Sequence, residues 1–112
     1  MGAASAPGIS VVIPTRNAGE RFTRTLEAIR EQESPVAHDL WVVDSGSTDG
    51  TVASARQFGA HVVEIAPSDF AHGRTRNLGV ASCAGELVAF TVQDAVPADR
   101  SWLAALYGAL QE

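Results

Sequence analysis

No lysine occurs in the 112 residues; all eight basic side chains are arginine. This excludes lysine-based chemistry, such as a Schiff base or the phosphate-binding lysine of a nucleoside triphosphatase loop. Cys83 is the only cysteine, so an internal disulfide and the paired thiols of a redox or zinc motif are excluded; amid Ala81, Ser82 and Ala84 it reads as a small buried hydrophobe. No apolar run approaches the roughly 20 residues that cross a bilayer. The start, Met1 to Gly8, has neither the basic nor the apolar region of a secretory signal, and Ala6 breaks the myristoylation pattern. Residues 1–8 therefore read as a flexible leader. A formal charge of -5 argues against a broad nucleic-acid surface, and no nucleic-acid partner is expected. Neither Gly-x-Gly-x-x-Gly nor Gly-x-x-x-x-Gly-Lys occurs, so dinucleotide-binding and nucleoside triphosphatase domains are excluded. A phosphate-accepting receiver domain would need acids after the first strand and a lysine, and both are missing.

What remains is a chain with 46% hydrophobic residues, enough for one domain with a real core, spanning residues 9–112. Its apolar pattern alternates. Ile9 to Pro14 is a β-branched run, and Phe22, Leu26 and Ile29 recur at helical spacing along Glu20 to Gln32. A second strand is expected over Asp39 to Val43, then a helix faced by Val52, Ala55 and Phe58 and ended by Gly59. His61 to Ile65 reads as the third strand, Ala66 to His72 as a loop, Arg74 to Ala84 as a small-residue helix, and Leu87 to Val92 as the fourth strand. A last helix begins near Pro97-Ala98-Asp99, with Leu103, Leu106, Tyr107 and Leu110 on one face. Strands separated by helices predict an α/β fold: three layers, with a mostly parallel sheet of about four strands and helices on both faces. Trp41 and Trp102 are expected to be packing residues.

Two strands end on a carboxylate. Asp44 closes Leu40-Trp41-Val42-Val43, and Asp94 follows Leu87 to Gln93, so both fall at the carboxyl edge where open α/β sheets bind ligands. Asp44 suits base N–H or ribose hydroxyl donors, the reading its place at the strand edge favours; its other reading is a cap on the Ser47-Thr48-Asp49 turn that starts the next helix. Asp49 and Thr48 read as capping residues. Asp94 is a candidate ligand for a hard divalent cation on phosphates, with a solvated turn aspartate as its other reading. Pro14, Thr15 and Asn17 follow the first strand and could contact a base, or form a plain turn. His72, Arg74 and Arg76 lie at a glycine-marked helix start, where backbone N–H groups and forked guanidinium groups suit phosphate or sugar.

Val11-Val12-Ile13-Pro14-Thr15-Arg16-Asn17, the run Val42 to Thr51, Arg76-Asn77-Leu78-Gly79 and Gly85-Glu86, in this order and spacing, resemble family 2 glycosyltransferases over about Ile9 to Leu110. The run His72 to Asn77, with Gln93-Asp94-Ala95, is similar to the rhamnosyltransferase-type branch. The resemblance implies an A-type glycosyltransferase fold that binds a nucleoside diphosphate sugar, such as dTDP-rhamnose or a UDP-sugar. Pro14, Thr15, Asn17, Asp44 and Gly46 would then face the nucleoside, and Asp94 would hold Mg2+ or Mn2+ on the diphosphate. The first acid of the family's Asp-x-Asp metal motif falls on Val92. The implied reaction is an inverting displacement by a saccharide or lipid-linked acceptor in polysaccharide or cell-wall assembly, in the cytoplasm or at the inner membrane face. Its general base is expected beyond residue 112, so the chain reads as a donor-binding half, inactive alone and prone to self-association. The rival is a non-catalytic nucleotide-binding or interaction module of the same fold.

Overall fold

The computed structural model describes residues 8–69 and 87–111. Strand β1 spans Ile9–Thr15 and is the apolar centre of the sheet, with Val11, Val12 and Ile13 fully buried. Helix α1 follows at Phe22–Arg30 and buries Phe22, Leu26 and Ile29, the stripe expected from their spacing. Strand β2, His38–Asp44, helix α2, Thr51–Gln57, and strand β3, His61–Glu64, complete the first half. A 3-10 turn at Pro67–Asp69 lies within the expected loop after β3. Strand β4 is Leu87–Phe90 and helix α3 is Trp102–Gln111. The expected helix over Arg74 to Ala84 lies outside the described residues, as do His72, Arg74, Arg76 and Cys83.

The four strands form a sheet in the order β3-β2-β1-β4, and every pairing is parallel. Side chains alternate across a strand. Ile9, Val11, Ile13, Leu40 and Val42 therefore share one face, where they meet Phe22, Leu26 and Ile29 of α1, Ala55 of α2 and Leu103 of α3 in a single core. On the opposite face Ser10, Val12 and Val43 are also fully buried, which explains why β1 reads as a continuous apolar run rather than an alternating one.

Strand β4 ends two residues earlier than its apolar pattern predicts. After Thr91, whose N–H donates to Val12 O at 3.1 Å, the chain turns, and the Ala95 N–H donates back to Val92 O at 3.1 Å. Helix α3 starts later than Pro97 because Asp99 first accepts the N–H and hydroxyl of Ser101. Gln32, beyond α1, ties the two helices: its Nε2 donates to Asp99 O and its Oε1 accepts the Leu103 N–H at 3.0 Å. Leu103 is buried as expected, but Leu106 is exposed. Trp102 packs against the core, while Trp41 stacks on His61 at 4.4 Å and donates to Asp39. Among the described residues no helix is long and apolar enough to cross a membrane.

Candidate functional site

The strand order creates one switch point. The chain steps from β1 outward through β2 to β3, then returns to place β4 on the other side of β1. Ligand crevices of open α/β sheets form at the carboxyl ends of strands at such a point. Three loops converge here: Arg16 to Gly19 after β1, Ser45 to Gly50 after β2, and Thr91 to Asp94 after β4. Thr15 and Asp44 are register partners, so the first two loops leave the sheet side by side.

Asp44 is buried, with 1% exposure. Its Oδ1 accepts the Thr15 hydroxyl at 2.7 Å and the Ser47 hydroxyl, and its Oδ2 accepts the N–H groups of Gly46 at 3.2 Å and Ser47 at 2.9 Å. A carboxylate offers about four acceptor positions. All four are filled by the protein. A ligand donor would have to displace one of these partners, and the Ser47 hydroxyl, on a half-buried side chain, is the one that can rotate away.

The second loop also holds the first. The Asn17 N–H donates to Ser47 Oγ at 2.8 Å, the Ala18 N–H to Thr51 Oγ1 at 3.0 Å, and the Gly19 N–H to Asp49 Oδ2 at 3.1 Å. In return Asn17 Oδ1 accepts the Thr48 N–H at 2.7 Å. Asn17 has φ +46°, a left-handed conformation that asparagine tolerates better than most residues. Much of the conspicuous Asp44 to Thr51 segment thus braces the Arg16 to Gly19 loop. The capping expected of Asp49 and Thr48 is not found at the N-cap of α2, which is Gly50 without a side-chain cap. Instead Asp49 accepts the N–H and hydroxyl of Thr51, and the Thr48 hydroxyl donates to Asn17 Oδ1. Sequence spacing signals only bonds internal to the second loop, since Ser47, whose N–H donates to Asp44, stands three residues after it, and Thr51, whose N–H donates to Asp49, two after it.

The Thr51 hydroxyl, with the N–H groups of Thr51 and Gly19, holds the Asp49 carboxyl below its ordinary range. A lowered folded-state pKa means stability that is full above the unfolded value and is lost as pH falls through the folded one. Acid titration of stability by thermal unfolding is therefore expected to show a loss below about pH 4 that is smaller in Asp49→Asn. The effect is modest, because the group is solvent-exposed. Asp99, lowered by Ser101, contributes in the same direction and is left intact by that substitution.

On the β4 side Asp94 is exposed in the turn, and Gln93 joins this turn to the β1 loop. Gln93 Oε1 accepts the Arg16 N–H at 3.0 Å, Gln93 Nε2 donates to Arg16 O at 3.4 Å, and Gln93 O accepts the buried Thr25 hydroxyl at 3.1 Å. Sequence reading quotes Gln93 only within the Gln93-Asp94-Ala95 motif, without a role of its own, and passes over Thr25. The available signal is Thr25, a polar residue in the apolar stripe of α1. No group of three or more histidine, cysteine, aspartate or glutamate side chains gathers into a metal cluster among the described residues.

Residues 10–112 match the Glycosyl transferase family 2 sequence family. The chain belongs to that family. Over 93 residues it is 41% identical to the O-antigen chain rhamnosyltransferase RfbN of Salmonella typhimurium, covering 81% of this chain and 29% of that protein. The mannosyltransferase PcManGT of Pyrobaculum calidifontis, solved with GDP-Man and Mn2+, superposes with a TM-score of 0.80 at 28% identity over 97% of this chain and 34% of that one. Glucosyl-3-phosphoglycerate synthase of Mycobacterium tuberculosis, solved with Mn2+, UDP and glucosyl-3-phosphoglycerate, superposes with a TM-score of 0.77 at 28% identity over 93% of this chain and 39% of that one. The family 2 chain described here thus spans about a third of the length of the proteins it matches, and its sheet is the A-type glycosyltransferase fold expected from the sequence.

Proposed function

We propose that this chain is the donor-binding region of a glycosyltransferase, taking a nucleoside diphosphate sugar and a divalent metal into the crevice at the ends of β1 and β4 for inverting transfer to a saccharide or lipid-linked hydroxyl. The observation that carries this reading is the switch point between β1 and β4, where the braced Arg16 to Gly19 loop meets the turn bearing Asp94. The nucleoside would lie against Pro14, Thr15, Asn17, Asp44 and Gly46. There Asp44 fixes the walls and can take a base or ribose donor in place of the Ser47 hydroxyl. His72, Arg74 and Arg76 are proposed for the diphosphate or sugar on their sequence pattern alone.

Asp94 fits Mg2+ or Mn2+ as a single exposed hard oxygen donor, since such ions keep several waters and take the rest of their ligands from phosphate. When bound there, the metal would supply Lewis-acid stabilisation of the departing diphosphate. The residues of this chain bind, orient and brace. Neither the acceptor site nor its general base is assigned to them. RfbN is named for rhamnosyl transfer in O-antigen, which favours dTDP-rhamnose and polysaccharide assembly on the cytoplasmic side of the membrane as the setting.

Calorimetric titration with UDP and with deoxythymidine diphosphate is expected to give binding that Mn2+ strengthens, with at least about tenfold of that gain lost in Asp94→Ala. Metal-independent binding unaffected by Asp94→Ala would sink the metal assignment and favour a non-catalytic nucleotide-binding module, to which Val92 in place of an acid already points. Phe90, Val92, Val96 and Leu106 are exposed, and Phe90 and Leu106 line an apolar groove of about 210 Å3 between β4 and α3. Self-association in light scattering is the expected result, and a monodisperse monomer at high concentration would count against it.

A further inference from the structure

Pro14 interrupts the ladder between β1 and β4. Peptide groups two apart on a strand point to the same side, and those of Val12 and Arg16 point to β4, as their bonds to Thr91 and Gln93 demonstrate. Pro14, between them, faces the same way and has no N–H to offer. Main-chain pairing gives out there, and the chain after Thr91 turns away through Val92 to Ala95. At the next rung the Gln93 side chain stands in for a strand: its amide accepts from Arg16 N and donates to Arg16 O, as a partner peptide would. Its main-chain carbonyl is held in turn by Thr25, with 1% exposure, on α1.

We propose that Gln93 is a positioning residue of the donor site. By supplying a rung at Arg16, beyond the one that Pro14 removes, it fixes Asp94, its neighbour in the turn, relative to the Arg16 to Gly19 loop. The two sides of the crevice, one offered to the nucleoside and one to the metal-bound diphosphate, are thereby held at a set spacing. This role rests on the donor-site reading above and adds a residue that touches neither nucleotide nor metal. Loss of Gln93 leaves Asp94 and the nucleoside loop each intact but no longer registered to one another. Its signature is a loss of coupling between metal and nucleotide rather than a loss of either alone.

Two measurements on the 112-residue chain test this. Without ligand, amide exchange by NMR is expected to run about three- to tenfold faster at Arg16 in Gln93→Leu, with the Val42 amide in the β2 ladder unchanged. Gln93→Glu, which keeps the acceptor, should restore protection at Arg16. With UDP, the affinity gained on adding Mn2+ is expected to fall about three- to tenfold in Gln93→Leu, while affinity for UDP alone changes little. Should Gln93→Leu also speed exchange at Val42, Gln93→Met, unbranched and of similar length, replaces it. An Arg16 amide indifferent to both substitutions overturns the proposal. So does faster Arg16 exchange with an unchanged Mn2+ gain, provided the wild type binds UDP. If the wild type binds no UDP, the donor-site reading fails and the positioning role falls with it.

Discussion

Replacing Asp44 by alanine is expected to lower the unfolding free energy by about 3–5 kcal/mol. Four donors converge on its two oxygens, and with the carboxylate gone the N–H groups of Gly46 and Ser47 and the Thr15 hydroxyl lose their acceptor in a buried setting. Each such orphan costs about 1–3 kcal/mol, with partial relief where the Ser47 side lets water in. Domains of this size carry about 5–15 kcal/mol in all, so the variant should unfold at much lower urea than the wild type. The isosteric amide would fare better. In Asp44→Asn the NH2 can turn toward the Thr15 and Ser47 hydroxyls, which then accept instead of donate, while the amide oxygen keeps the two N–H groups; about 1 kcal/mol is the expected cost. A urea midpoint for Asp44→Ala within about 1 kcal/mol of wild type would mean that the loops do not depend on this carboxylate. Loss of nucleotide binding in Asp44→Ala would therefore not identify a contact, and Asp44→Asn is the substitution that separates recognition from architecture.

The second large effect is expected at Gly46. Its φ of +93° lies in the left-handed region, and an added Cβ would fall 2.5 Å from Cγ of Pro67. Gly46→Ala meets both penalties together, the strained backbone at about 1–3 kcal/mol and the displacement of a proline ring that cannot rotate aside. A total of about 2–4 kcal/mol is expected by urea unfolding. Pro67 opens the 3-10 turn that follows β3, and the Ile65 N–H donates to Asp44 O at 2.7 Å just before it. The turn therefore rests on the Asp44 loop. Pro67→Ala in the Gly46→Ala background should recover the steric part and leave the conformational part. If Gly46→Ala alone is neutral, the close approach of the two loops is not maintained in solution.

Much of the fold was legible because burial on both faces of β1 and β2 leaves a run of β-branched residues that no turn or helix would produce, and because Phe22, Leu26 and Ile29 repeat at helical spacing. Parallel pairing followed from the intervening helices. The boundaries were less legible where a side chain rather than propensity decides them. β4 stops at Phe90 because a turn closes at Val92, although Val92 itself is a good strand former, and α3 waits for Asp99 and Gln32. Within the site, Asp44 and Asp94 were visible as charges ending apolar strands. Their difference was not. One is buried among four donors, three of them local at Gly46 and Ser47 and the fourth the Thr15 hydroxyl of the neighbouring strand, and the other is exposed in its turn. The role of Gln93 within its motif was invisible, since its partner is a backbone group 77 residues away.

The bracing of the first loop has a consequence for variation. Ser47, Thr51 and Asp49 grip it through the N–H groups of residues 17, 18 and 19, and Gln93 through the peptide of residue 16. Every amino acid except proline carries that N–H. The grip is thus blind to the exposed side chain of Arg16, whereas Asn17 and Gly19 are tied to particular residue types by their positive φ and Ala18 by its packing against the core. The scaffold keeps its shape while the lettering at this position is rewritten, so a library at residue 16 can be searched for altered nucleotide binding without first re-engineering the fold that presents it.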